Sequence, residues 1–170
     1  KINSKNPSVI YYIGDIFYRP GRFEEAIVQL KNSIKIKPDF WLAHFRLAQV
    51  YKHDNLYDDS IKEYKESAKF NPKSFETRFE LGTIYTEKGD LDKAEEEYKE
   101  ALNLEPKNYE AHYYLATVYK LADKTDQAIN EYKETIKLNS SFPEAYYQLG
   151  IVYKYNQEFD LAINEYKKAI

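Results

Sequence analysis

Residues 75–108 read FETRFELGTIYTEKGDLDKAEEEYKEALNLEPKN, and these 34 residues are one period of a pattern that continues along the chain. An aromatic side chain recurs at this step at Phe17, Tyr51, Tyr85, Tyr119 and Tyr153. Small residues recur at Gly14, Ala48, Gly82, Ala116 and Gly150, and a bulky column holds Leu30, Tyr64, Tyr98, Tyr132 and Tyr166. Similarity at a fixed period indicates a stacked array, in which each unit buries its apolar face against its neighbours.

Each unit is predicted to contain two helices. The first half of the first unit places its apolar and small residues three or four positions apart, which puts them on one helical face. The second half repeats that spacing from Ala26 to Ile34, and turn formers such as Pro20-Gly21 and Gly89-Asp90 lie between the halves. An acidic residue then falls in the first turn of every second helix, where negative charge is favourable, at Glu24, Asp58, Asp92, Asp126 and Asp160.

These residues resemble the tetratricopeptide repeat, a helical hairpin of the same length. The third unit matches best, with Leu81-Gly82, Tyr85, Ala94, Tyr98 and Pro106 at the family's intervals. Departures are few: Ser60 replaces Ala, Leu30 replaces an aromatic, and His44 and His112 stand where Trp is usual. The resemblance implies an all-α fold, an α-solenoid of five hairpins in a right-handed superhelix whose first helices line the concave side.

The period divides the chain into units of equal length. The predicted repeats are residues 7–40, 41–74, 75–108, 109–142 and a truncated fifth at 143–170. Residues 1–6 are predicted to be the tail of a preceding repeat, because Ile2 lies one period before Ile36. Both ends therefore favour a fragment of a longer array.

A second aromatic column lies about 100 degrees around each first helix from the packed face. Its members are Tyr11, Phe45, Phe79, Tyr113 and Tyr147. In the family this position faces the concave groove, so the rings either contact a ligand or only pack against the neighbouring unit. Polar residues of the same surface complete the predicted partner-binding site: Gln49, Lys52, Thr83, Thr117, Lys120 and Lys154. We call these eleven residues the predicted groove face.

The second helices carry a charged row that is predicted to be a solvated convex face. Its acidic members are Glu63, Glu97, Glu131 and Glu165, and its basic members are Lys31, Lys65, Lys99, Lys133 and Lys167. His44 and His112 share a packing position and are predicted to be partly buried core residues rather than catalytic or metal-binding groups.

Several function classes are disfavoured. Family members that grip a C-terminal carboxylate use Lys, Asn and Arg at set positions, which here hold Tyr11, Asp15, Arg46, Glu76 and Glu80. A chaperone tail ending in a free carboxylate is therefore not an expected partner.

The net charge of −3 provides no general attraction for nucleic acid. The absence of Cys excludes disulfides and thiolate metal sites, and neither metal-ligand His spacing nor a Gly-rich phosphate loop occurs. We predict no enzyme, no cofactor and no metal.

Three hypotheses for function remain. The first is a protein-interaction scaffold that binds a peptide or helix of a partner in the groove. The second is self-assembly into a homo-oligomer through open repeat ends. The third, RNA binding, is disfavoured by the acidic balance. No apolar stretch approaches the roughly 20 residues of a membrane helix, and a cytoplasmic location is expected.

Overall fold

The computed structural model describes residues 6–170, in which all the regular secondary structure is helical. The ten helices are α1 (Pro7–Tyr18), α2 (Phe23–Ile36), α3 (Trp41–His53), α4 (Tyr57–Phe70), α5 (Phe75–Lys88), α6 (Leu91–Leu104), α7 (Tyr109–Leu121), α8 (Thr125–Leu138), α9 (Pro143–Tyr155) and α10 (Phe159–Lys168). Two helices therefore fall in each predicted repeat, and the all-α solenoid of helical hairpins is confirmed. The prediction for the tail at residues 1–6 lies outside the described residues, except for Asn6, whose side chain caps α1 by accepting from the Ser8 N–H at 2.9 Å.

The turn between the two helices of each hairpin uses the same backbone device. A residue with positive φ recurs every 34 positions, at Gly21, Asn55, Gly89, Asp123 and Gln157, with φ between 57° and 80°. Glycine adopts this left-handed conformation at no steric cost, and Asn and Asp tolerate it better than most residues. The left-handed backbone conformation of the turn is therefore kept in every repeat, although the residue type changes.

The chain divides into two compact units, and the first ends at Ile84. In this unit α1 pairs with α2, α3 pairs with α4, and α3 also lies against α2. A Cβ added at Gly14 would lie 2.9 Å from the Leu30 side chain, so the two helices of the first hairpin approach as closely as glycine allows. Leu47, Val50 and Tyr64 are almost fully buried and continue the core.

The second unit runs from Tyr85 to Ile170. Its α7 and α8 form one hairpin, α9 and α10 form another, and α6 and α8 contact the first helix that follows each of them. Gly150 lies against Tyr166, since an added Cβ would come within 2.6 Å of that ring. Ala94, Tyr98 and Tyr132 are fully buried, as the repeat pattern predicts for the small and bulky columns.

Two histidines join the helices of their hairpins to the linker before them. His44 on α3 places Nδ1 2.6 Å from a Glu63 carboxylate oxygen on α4 and Nε2 2.8 Å from the Pro38 carbonyl oxygen. His112 on α7 makes the same pair of contacts with Glu131 at 2.6 Å and Pro106 at 3.1 Å. Both histidines are substantially buried, which confirms their predicted core position.

These contacts correct the predicted solvated row on the second helices. The side chains of Glu63 and Glu131 are only 17% and 25% exposed, and Glu165 is buried. The prediction was therefore wrong for these three acids, because the first two reach the histidine of the preceding helix and Glu165 is covered on α10. The five lysines of the row are exposed, as predicted.

Replacing Ala94 by Leu should destabilise the second unit. The position is fully buried on α6, so the added carbons must displace packed neighbours, at a cost of roughly 1–3 kcal/mol. Urea unfolding followed by circular dichroism measures the change. Glu96→Gln, at an exposed position of the same helix, is the control and should change the free energy of unfolding by less than about 0.5 kcal/mol. Equal stability of Ala94→Leu and wild type would contradict the packing described here.

The histidine contacts predict that stability falls as pH rises. Burial of the His44 ring lowers its pKa, because it disfavours the charged form. The hydrogen bonds from the ring to the Glu63 carboxylate and the Pro38 carbonyl outweigh burial, so the pKa of His44 is raised. The bond to Glu131 likewise raises the pKa of His112, against the opposing effect of burial. A histidine whose folded pKa is raised contributes stability fully below its unfolded pKa of about 6.5 and loses it as pH rises through the folded pKa.

Urea unfolding at successive pH values from about 6 upward, around the unfolded pKa, measures this loss. His44→Gln and His112→Gln should each reduce the pH dependence, and the double variant should reduce it most. A double variant with the same pH dependence as the wild type would show that these rings are not its source.

Candidate functional site

In the first unit, the aromatic residues of the predicted groove face are engaged in packing. The buried Tyr11 ring lies 5.3 Å from the Phe40 ring, between centroids, and burial is the main cause of the raised pKa of Tyr11. Phe45 meets Tyr64 edge-on at 5.4 Å, and Phe79 stacks on Phe75 at 5.5 Å. These distances are typical of favourable ring pairs.

In the second unit, the two remaining rings of the column differ from one another. Tyr113 lies 5.8 Å from Tyr132 and 5.1 Å from Phe142, which fixes it between α8 and the start of α9. Tyr147 packs against the Tyr166 ring at 5.8 Å between centroids and is 53% exposed. Packing contacts are thus present along the whole column, and ligand contact by its rings stays a prediction.

In the first unit, polar residues of the predicted groove face are paired with neighbouring side chains of the same unit. Arg46 donates to the Gln49 side-chain oxygen at 2.7 Å and lies 2.7 Å from the Asp15 carboxylate. Lys52 donates to Glu80 at 2.8 Å, with both side chains about a quarter exposed. The charges of this surface are therefore largely neutralised within the unit.

The two threonines of the predicted groove face bond to their own helices. The Thr83 hydroxyl donates to the Phe79 carbonyl at 3.1 Å, and the Thr117 hydroxyl donates to the Tyr113 carbonyl at 3.0 Å. Thr117 also lies 3.1 Å from the Tyr132 hydroxyl, which connects α7 to α8. These hydroxyl groups help to hold the helices in position.

Lys120 lies in a different environment from Lys52. Its ammonium group donates to the Gln148 side-chain oxygen at 2.6 Å, and burial lowers the pKa of the lysine. The side chain borders a pocket of about 470 Å³ that is lined by Lys120, Asp123, Thr125, Ile151, Val152 and Tyr155. Lys154, one period further on, is exposed. Of the lysines in the predicted groove face, Lys120 therefore lines a pocket.

Sequence reasoning missed several residues of this surface. Gln148 and Ile151 were not selected, although they lie one turn apart on α9, on the face that also carries Tyr147 and Tyr155. A signal was present in one column whose side-chain type changes from repeat to repeat, whereas each packed column keeps its size class; its members are Tyr12, Arg46, Glu80, Tyr114 and Gln148. Variable polar residues at a fixed helical position indicate a surface released from packing.

The described part of the chain contains neither a metal-binding cluster nor a membrane-spanning helix. Within residues 6–170, no group of three or more His, Cys, Asp and Glu side chains could hold a metal ion. Among the same residues, no helix has both the length and the apolar character required to cross a bilayer.

Helical hairpins that repeat every 34 residues, with an exposed face on the first helix of each, define a helical-repeat solenoid protein. A profile described as "TPR repeat" matches residues 14–54, 82–123 and 122–157, and two described as "Tetratricopeptide repeat" match residues 43–74 and 63–96. The chain belongs to the tetratricopeptide repeat family. No curated protein sequence matches it.

Solved structures with this fold cover nearly the whole chain. The crystal structure of a MamA protein matches with a TM-score of 0.91 at 27% identity, over 96% of this chain and 89% of that one. MamA from Desulfovibrio magneticus RS-1 gives a TM-score of 0.92 at 15% identity, over 99% and 95% of the two chains. YrrB, described as a TPR protein with an unusual peptide-binding site, gives 0.88 at 15% identity, over 99% and 87%. The last two show likeness of fold alone.

Proposed function

We propose that this protein is a non-catalytic interaction scaffold that binds an extended peptide or a helix of a partner protein on the predicted groove face. The observation that carries the proposal is a set of exposed apolar and aromatic side chains on two consecutive first helices of the second unit. Its members are Tyr114 and Leu121 on α7, and Tyr147 and Tyr155 on α9. Tyr147 belongs to the predicted groove face, and the other three directly follow its members Tyr113, Lys120 and Lys154 in the sequence.

The exposure of these side chains distinguishes them from the core columns. Leu121 is 52% exposed and Tyr155 is 80% exposed, whereas Leu115 and Leu149 on the same helices are almost fully buried. Contiguous exposed apolar surface is typical of protein interaction sites, and tyrosine provides a large contact area with few rotatable bonds. The pocket beside Lys120 lies next to this surface, since Tyr155 belongs to both.

Membership of the tetratricopeptide repeat family supports a binding function in general, without pointing to particular residues. Tetratricopeptide repeats form extended surfaces rather than closed catalytic clefts. YrrB carries a peptide-binding site by its own description, and this chain shares its fold.

Substitution of the exposed tyrosines should weaken peptide binding. A random peptide library displayed on phage is panned against the protein, and the selected peptide is synthesised with a fluorescent label. Tyr147→Ala with Tyr155→Ala should weaken its affinity roughly tenfold or more, as loss of aromatic anchors does at interfaces. Fluorescence anisotropy measures the dissociation constants.

Val28→Ala is the matched control, because Val28 is a similarly exposed apolar residue on α2, a second helix. The Val28→Ala variant should bind the selected peptide with the affinity of the wild type. If the tyrosine variant keeps its helicity and binds the selected peptides as tightly as the wild type, the groove-face proposal is wrong.

A second candidate function is self-assembly, which specific exposed residues favour. Phe159 and Ile163 on α10 are more than half exposed, whereas Ile61 and Ile129, which occupy the column of Ile163 in earlier repeats, are partly buried. Ile16 on α1 is 64% exposed, whereas Val50 and Val118 in its column are fully buried. Two such faces on different copies would make a heterologous contact, which extends into a filament rather than closing.

The oligomeric state tests the second candidate. Head-to-tail association predicts a mass that grows with concentration in sedimentation equilibrium, and Ile16→Lys with Ile163→Lys should return the protein to a monomer. A wild-type monomer at every concentration, including the highest that remains soluble, would rule self-assembly out.

A further inference from the structure

Lys120 and Lys52 occupy the same place in their repeats but meet different partners. The two lysines are 68 residues apart, or two periods, and so are Glu80 and Gln148, the groups to which they donate. The Lys52 ammonium lies 2.8 Å from a Glu80 carboxylate oxygen, which neutralises it. Lys120 instead donates to a neutral amide at 2.6 Å, and among the described residues no carboxylate is in ion-pair contact with it.

The Lys120 site lacks the carboxylate that the Lys52 site has. In the first unit, the chain itself provides a carboxylate at this position of the neighbouring helix. In the second unit, an uncharged group of similar length stands there, so a partly buried cation keeps its charge uncompensated. A partly desolvated charge is costly unless it is paired, and the cost is recovered when an anion arrives.

The surroundings of Lys120 form a site that can accept such an anion. The pocket of about 470 Å³ has an apolar wall of Ile151 and Val152, with the exposed Tyr155 ring at its edge. Gln148 accepts from Lys120 with its oxygen, and its amide nitrogen carries two N–H donors. An ammonium group and an amide N–H side by side match the two oxygens of one carboxylate.

We propose that Lys120 and Gln148 form a subsite for a glutamate or aspartate side chain of the bound partner, with an apolar partner residue against Ile151 and Tyr155. The inference rests on the proposed scaffold function and names the chemistry of part of its ligand. A carboxylate is favoured over a phosphate because the site offers one cation, while the Asp123 carboxylate on the pocket lining opposes a second negative charge on the ligand.

The test uses a small probe, so that it does not depend on an identified partner. The protein is labelled with ¹³C and ¹⁵N at lysine, and its side-chain resonances are followed by NMR while N-acetylglutamate amide is added to high millimolar concentration. The Lys120 resonances should shift and saturate, and the apparent pKa of Lys120 should rise on binding. The isosteric N-acetylglutamine amide should leave these resonances in place, and O-phosphoserine should bind more weakly than the glutamate probe.

Two variants, one beside Lys120 and one beside Lys52, and one control complete the experiment. Gln148→Glu places a carboxylate where Glu80 stands beside Lys52, so it should weaken probe binding at Lys120 by about tenfold or more. Glu80→Gln should create a second responsive lysine at Lys52. Lys62→Gln, at an exposed position on α4, should change nothing.

The results separate this inference from the scaffold proposal. Absence of a Lys120 response at the highest probe concentration, or an equal response to the glutamine probe, would overturn the acid subsite. So would tighter binding of O-phosphoserine, which would assign the site to phosphate. A library-selected peptide that loses affinity in the double tyrosine variant, yet binds Gln148→Glu as it binds the wild type, would leave the scaffold standing without this subsite.

Discussion

The structure depends on close packing within a hairpin between a small residue on the first helix and a bulky residue on the second helix, as the first and the last hairpin show. Gly14 faces Leu30 and Gly150 faces Tyr166 at distances that leave almost no room for a Cβ. Ala48 and Tyr64, which hold these columns in the second repeat, are fully buried. Because this contact fixes how each first helix is rotated, it also decides which of its faces remains open.

Once the packed face is set, the charges of the open face distinguish the two units. In the first unit Asp15, Arg46, Lys52 and Glu80 form short ion pairs, so little charge is left for a ligand. In the second unit the positions that correspond to Arg46, Lys52 and Glu80 hold Tyr114, Lys120 and Gln148. The same backbone frame therefore provides a self-neutralised surface in the first unit and, in the second, a partly apolar surface on which Lys120 has no ion-pair partner among the described residues.

The repeat pattern predicted the helices and the core columns because both follow from spacing along the chain. It predicted Glu63 and Glu131 wrongly, since a glutamate on a helix surface reads as solvated unless its partner is known. Each of these acids bonds to a histidine 19 residues earlier, on the other helix of the hairpin. The aromatic column showed the converse problem: Tyr11 and Tyr147 are identical in type and register, yet one is buried and the other exposed.

By itself, the sequence determined the family, the ten helices, the turn positions and the identity of the packed columns, because local periodicity and residue size decide these. Only the tertiary structure decided which polar groups meet across helices. Lys52 and Lys120 have the same periodic position, and the difference between a neutralised and an available ammonium group lies in a residue 28 positions later. Contacts at that separation depend on how one hairpin packs against the next, because the energy of a charged group is set by the atoms around it rather than by its place along the chain.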